Sequence, residues 1–152
     1  MPKRSAGILL FRRAGAQIEV LLAHPGGPLR KNKDEGAWSI PKGEYKPDED
    51  PLAAARREFQ EETGIAITGD FIPLGEIRQR SGKIVTAWAL ERDLAPASVR
   101  SNTFSMIWPP QSGKSQEFPE IDRAEWFSLD TARRKIIPAQ AEFLDRLAGH
   151  LR

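Results

Sequence analysis

The chain has 152 residues, of which 39% are hydrophobic and 29% are charged, and its formal net charge is +2. This composition excludes the disordered class and predicts one folded domain over residues 1–152. The absence of cysteine excludes disulfides, thiolate nucleophiles and cysteine-ligated metals, and no apolar run approaches the roughly 18 residues of a membrane span, so we expect a cytoplasmic protein.

The first forty residues predict a β-hairpin followed by a long loop. Aliphatic runs at 5–11 and 17–24 flank the turn sequence "RRAGA" and read as two antiparallel strands. Segment 25–36 is rich in glycine, proline and charge, and we name it the basic loop because it contains "RKNK". Long loops in compact domains are often functional. The sequence "AWSI" at 37–40 then predicts a short strand that ends at Pro41.

A helix with an acidic stripe is predicted after this strand. Asp50 is a good N-cap, Pro51 suits the first helical position, and Gly64 is a typical C-terminal stop. On a helical wheel, an apolar stripe lies beside an acidic stripe that is formed by Glu58, Glu61 and Glu62. Like charges four residues apart destabilise a helix by a few tenths of a kcal/mol. The acidic stripe is therefore either a solvated surface or a site for a cation.

The second half of the chain predicts more sheet and a helical end. Residues 71–79 and 83–91 read as a pair of strands around "RSG", and 109–120 reads as a loop. A further strand is predicted at 124–129. The last twenty residues have helical spacing, marked by Leu144, Leu147 and Leu151.

The segment 43–65, "GEYKPDEDPLAAARREFQEETGI", carries a specific motif. Its fixed residues follow the pattern G-x5-E-x7-R-E-U-x-E-E-x-G-U, where U is apolar, and all of them are present. This pattern resembles the Nudix box. Phe59 departs from it mildly, because the family usually has an aliphatic residue there. The resemblance implies a single-domain α/β protein, a Nudix-type α/β/α sandwich with a mixed central sheet, and a metal-dependent hydrolase of pyrophosphate bonds.

The resemblance also implies a metal site. By position in the box, Glu58 and Glu62 would be the main ligands of Mg²⁺ or Mn²⁺, Glu61 a further ligand or base, and the backbone carbonyl of Lys42 another ligand. Hard oxygen donors suit these cations. His24 and His150 are far apart in the sequence, so a histidine metal site is not expected. Glu49 and Arg57 would form a structural pair.

A carboxylate outside the box would complete the site. In related enzymes a glutamate before the last strand of the sheet binds metal or acts as base, and "SQEFPEIDRAEW" offers Glu117 and Glu120. Glu120 is our choice for this catalytic and metal-binding role.

Four residues are expected to contact the substrate, and they are Arg30, Lys33, Lys42 and Tyr45. Arginine and lysine are the usual partners of phosphate, although a solvated loop remains an alternative for the first two. Tyr45 could equally have a packing role.

Longer stretches resemble one branch of the family. The sequences "WSIPKGEYKPDED" and "PEIDRAEWF" are similar to those of diadenosine-tetraphosphate hydrolases and of relatives that act on capped RNA ends. The expected partner is a small nucleotide such as diadenosine tetraphosphate, with no membrane and no nucleic acid except RNA 5′ ends. The alternatives are nucleoside triphosphates, 5′-triphosphate RNA, diphosphoinositol phosphates, or a catalytically silent nucleotide-binding module.

Overall fold

The computed structural model describes residues 2–152, which form one α/β domain. The strands are β1 Arg4–Ala14, β2 Gln17–Pro25, β3 Lys42–Glu44, β4 Ile72–Arg78, β5 Ile84–Glu91, β6 Thr103–Ile107, β7 Ser115–Pro119 and β8 Ile121–Ser128. The helices are α1 Pro51–Thr63, α2 Leu129–Lys135 and α3 Ala141–His150. Short 3-10 turns lie at Pro96–Ser98 and Pro138–Gln140.

The central sheet is mixed, as the sequence predicts. Its strand order is β4-β5-β1-β2-β8, and β3 pairs with the first part of β1. The β1 and β5 strands are parallel, and the other pairs in this sheet are antiparallel. The predicted hairpin is confirmed: β1 and β2 pair up to Ala14 and Gln17, and Gly15 has a φ of 64°, which suits a tight turn.

The sheet is covered on both faces because β1 is apolar on both. Ile8 and Leu10 pack toward α1 in one buried cluster, while Leu9 and Phe11 belong to a second cluster with the residues of α2 and α3. A strand that alternates between two apolar faces requires a layer on each side. The predicted α/β/α sandwich is therefore confirmed. No helix within residues 2–152 has the length and apolarity needed to cross a membrane.

The acidic helix begins and ends where the sequence predicts. The side chain of Asp50 accepts a hydrogen bond from the Ala53 amide at 3.0 Å. At the other end, Gly64 has a φ of 77° and donates its amide hydrogen to the Gln60 carbonyl at 2.7 Å. Phe59 is fully buried, so the one departure from the box pattern fills the core.

Two local predictions are wrong. Part of the predicted loop 109–120 is strand β7, which pairs with β6 in a separate two-stranded ribbon. The predicted strand 37–40 is reduced to isolated bridges at Trp38 and Ser39. In both places the outcome depends on which distant strand is available as a partner, and local composition does not report this.

Candidate active site

The acidic stripe of α1 faces β3, and its deepest carboxylate is Glu62. The backbone amide of Lys42 donates a hydrogen bond to Glu62 Oε1 at 3.2 Å. Burial raises the pKa of Glu62 to about 8, against the hydrogen bond and the charge of Lys42, and the charges of Glu120 and Glu58 raise it further. Glu62 is thus a carboxyl group that the protein holds in an environment costly for its negative charge.

Gly43 allows Glu58 to approach the chain of β3. A Cβ built on Gly43 would lie 1.9 Å from Glu58 Oε2 and 2.1 Å from its carboxyl carbon, so any other residue there would displace the Glu58 carboxylate. The Glu58 side chain is only 12% exposed. Burial raises its pKa, the charges of Glu61 and Glu120 add to this rise, and the hydrogen bond from Arg57 opposes it. The absence of a side chain at Gly43 therefore makes room for the Glu58 carboxylate.

Arg57 connects the loop to the acidic stripe. Its Nε and Nη2 atoms donate to the two carboxylate oxygens of Glu49 at 2.8 and 3.0 Å, which is the predicted structural pair. Its Nη1 atom donates to Glu58 at 2.8 Å and to Glu61 at 3.2 Å. These carboxylates raise the pKa of the guanidinium. Arg57 thus compensates part of the negative charge on the stripe.

Glu120 is brought to the same place by backbone contacts. Its amide donates to the Asn102 carbonyl at 2.9 Å, and its carbonyl accepts from the Gly26 amide at 2.8 Å. Asn102 in turn donates to the Glu61 carbonyl at 2.9 Å. Partial desolvation and the charge of Glu61 raise the pKa of Glu120. Sequence reasoning missed Gly26 and Asn102, which act through their backbone. The signal for Gly26 is the glycine itself, since a Cβ there would lie 2.0 Å from the Pro119 carbonyl oxygen.

A cavity of about 200 Å³ lies between these elements. Glu62, Glu120, Lys42 and Arg30 contribute to its lining together with apolar residues at the ends of β2 and β8. No carboxylate within residues 2–152 lies within 4.0 Å of Lys42 Nζ. Desolvation lowers the pKa of Lys42, and the nearby charge of Lys83 lowers it further. The cavity therefore contains carboxylates and cations side by side.

The other predicted residues lie outside this cavity. Tyr45 lines a separate cavity of about 510 Å³ beside Pro47 and Pro51. Glu117 lies on the exposed face of the β6–β7 ribbon, opposite Ser105. The side chain of Lys33 is exposed on the basic loop, while its backbone carbonyl is held by a buried histidine. Of the expected substrate contacts, the structure brings Lys42 and Arg30 to the carboxylates.

The donor set fits a hard divalent cation in its chemistry. It consists of carboxylate oxygens whose charges raise one another's pKa values, and a cation relieves this repulsion. In the described part of the chain, no three of these side chains converge as a ready ligand set, and Arg57 bonds two of them instead. A bound cation would compete with Arg57 for Glu58 and Glu61.

Comparison with known proteins defines the class of this fold and site. The model of the NUDIX domain family matches residues 1–147. A crystal structure of a C. elegans Ap4A hydrolase in a binary complex has a TM-score of 0.64 and 23% identity, covering 98% of this chain and 97% of that one. The NUDIX domain of Shewanella oneidensis NrtR, complexed with ADP ribose, has a TM-score of 0.66 and 13% identity. The match covers 100% of this chain and 90% of that one.

The chain therefore belongs to the NUDIX domain family. Hydrolases of this family generally use divalent metal ions such as Mg²⁺. A curated relative, an octanoyltransferase of Myxococcus xanthus, is 30% identical over 135 residues, which is 89% of this chain and 33% of that protein. The chain thus spans about a third of the length of that relative.

Proposed function

We propose that the protein is a metal-dependent hydrolase of dinucleoside polyphosphates, with diadenosine tetraphosphate as the preferred substrate. The observation that carries this proposal is the presence of carboxylates and cations in one cavity. Among the described residues no carboxylate lies within 4.0 Å of Lys42 Nζ, and Arg30 enters from the basic loop. A long anionic chain needs cations beyond a bound metal, and these two side chains supply them without selecting a base.

The carboxylates divide into two groups by position. Glu58, Glu61 and Glu62 on α1, with the Lys42 carbonyl and with Glu120, would hold Mg²⁺ or Mn²⁺. A cation held there polarises the phosphoryl oxygens and lowers the pKa of the attacking water. Glu120 comes from the segment between β7 and β8 and lines the cavity near the glutamates of α1, where it is suited to accept a proton from water. Lys42 orients a phosphate between the two groups.

The likeness to an Ap4A hydrolase supports the choice of substrate together with "WSIPKGEYKPDED" and "PEIDRAEWF". We infer an asymmetric cleavage, in which water attacks one phosphorus and the products are a nucleoside triphosphate and a monophosphate. One water molecule is consumed, and one P–O–P bridge is broken.

The test is a substrate panel with Mg²⁺ and with Mn²⁺. It compares kcat/KM for diadenosine tetraphosphate, ADP-ribose, nucleoside triphosphates, a diphosphoinositol phosphate and 5′-triphosphate RNA, with the products separated by chromatography. Water labelled with heavy oxygen identifies the attacked phosphorus. We expect diadenosine tetraphosphate to exceed the others by about tenfold or more, equivalent to about 1.4 kcal/mol in transition-state stabilisation. A preference of that size for another substrate would overturn the choice of branch.

A further inference from the structure

His24 is a buried polar residue that the acidic site does not use. It lies in β2, its side chain is fully buried, and Trp38 packs edge-on against its ring at 5.0 Å. Its Nδ1 atom lies 2.9 Å from Asp122 Oδ1, and its Nε2 atom lies 2.5 Å from the Lys33 carbonyl oxygen. A backbone carbonyl can only accept, so Nε2 donates to Lys33, while Nδ1 faces the carboxylate of Asp122.

A β-bulge aims Asp122 at this histidine. In the pairing of β2 with β8, His24 is opposite Arg123, whereas Pro25 is opposite Ile121. Asp122 is therefore the extra residue of a bulge, and bulges commonly redirect a side chain near an active site. Asp122 also lies two residues after Glu120, so the contact joins His24 to the segment that carries the second carboxylate.

The other hydrogen bond of His24 holds the basic loop. The loop is tied at its start by the bond from the Gly26 amide to Glu120, and near its end by Asp34, which accepts from Trp38 and Lys135 at 2.9 and 2.6 Å. Between these ties, the Lys33 carbonyl is bonded to His24. The part of the loop that carries Arg30 toward the cavity thus ends at the histidine contact.

We propose that His24 is a positioning residue for substrate binding, because its hydrogen bond to the Lys33 carbonyl ties the basic loop to β2 and so holds Arg30 beside the polyphosphate. Asp34, Lys135 and Arg123 are the other charged groups around this contact: Asp34 and Arg123 contact Trp38, and Lys135 donates to Asp34. This inference rests on the proposed function, since it assigns the loop to the anionic substrate of the same cavity.

Two substitutions at the same position separate the two bonds. The amide of His24→Gln reaches the place of Nε2 and keeps the bond to Lys33, whereas the amide of His24→Asn reaches the place of Nδ1 and loses it. With diadenosine tetraphosphate we expect His24→Asn to raise KM about tenfold with kcat changed less than about threefold, while His24→Gln keeps KM within about threefold. With the shorter ADP-ribose the difference between the variants should shrink.

Phe127→Leu is the matched control for packing. Phe127 also packs edge-on against Trp38, at 5.0 Å, but it makes no contact with the loop backbone among the described hydrogen bonds. We expect it to lower the melting temperature without changing KM. Amide hydrogen exchange of residues 27–33 should accelerate in His24→Asn and not in Phe127→Leu.

The outcomes separate this inference from the proposed function. Equal KM values for His24→Asn and His24→Gln, with unchanged exchange in the loop, would overturn the role of His24 and leave the hydrolase intact. If the wild-type protein cleaves no member of the substrate panel, the proposed function fails. Hydrogen exchange in the basic loop still tests whether His24 holds the loop through the Lys33 carbonyl. A KM increase of the same size in Phe127→Leu would reduce the effect to core packing and contradict the proposal.

Discussion

The two sides of the cavity are built in different ways. On one side, α1 carries three glutamates from consecutive turns, of which Glu62 lines the cavity, backed by Gly43 and by the four hydrogen bonds of Arg57. On the other side, the basic loop and Glu120 come from irregular segments that are held by backbone hydrogen bonds. The helix side is continuous in sequence, whereas the loop side joins residues about ninety positions apart.

This difference suits the two sides to different roles, metal binding on the helix side and substrate selection on the loop side. Residues on a helix are fixed within a few tenths of an ångström by its geometry, which suits ligands that must surround a metal ion. Loops tolerate sequence change, which suits contacts that select one substrate over another. We therefore expect substitutions on the helix side to affect kcat strongly and substitutions on the loop side to affect KM modestly.

The largest effect should come from the helix side. Replacing Glu62 or Glu58 by Gln keeps the shape of the side chain and removes a charged oxygen ligand, so kcat should fall by more than about a hundredfold. Steady-state turnover with saturating Mg²⁺ measures this. Near-normal turnover in both variants would show that the acidic stripe is only a solvated surface.

The same side should make the metal-free protein sensitive to pH. The pKa of Glu62 is about 8 in the folded chain, above its ordinary value of 4.5. Between these values the folded state keeps a proton that the unfolded state releases, so stability falls as pH rises from 4.5 toward 8.

Glu62→Gln removes this dependence and should stabilise the metal-free protein above pH 8 by on the order of 5 kcal/mol. Urea unfolding of both proteins in chelator, at pH 5 and at pH 9, measures the difference. Parallel losses of stability in the wild type and the variant would contradict the burial of this carboxyl group.

The choice of the second carboxylate is tested by a pair of variants on the loop side. Glu120→Gln should lower kcat about tenfold or more, because Glu120 lines the cavity and interacts with the charge of Glu61. Glu117→Gln, on the exposed face of the ribbon, should retain wild-type turnover. The reverse result would transfer the role to Glu117.

The smallest effect should come from the cations of the basic loop. Arg30→Ala removes an exposed charge that lines the cavity, so KM for diadenosine tetraphosphate should rise about threefold at low salt and less at high salt. Lys31→Ala is the control, since Lys31 does not line the cavity. Identical changes in both variants would mean that the loop acts only through its net charge.

The sequence alone was enough to predict the helix that carries the acidic stripe. Asp50, Pro51 and Gly64 mark the ends of α1 through local backbone chemistry, and the spacing of the glutamates determines which of them share a face. The continuous apolar run in β1 is likewise typical of a strand that is covered on both faces. These features depend on interactions within a few residues, so a sequence pattern contains them.

Only the tertiary structure decided how the loop side meets the helix. It placed Glu120 beside α1, left Tyr45 in another cavity, formed β7 where a loop was expected, and joined His24 to Asp122 through a bulge. These outcomes depend on strand register and on backbone hydrogen bonds between segments far apart in the chain. A backbone amide or carbonyl is common to nearly every residue, so its partner is determined by the packing of the whole domain and leaves no mark in the local sequence.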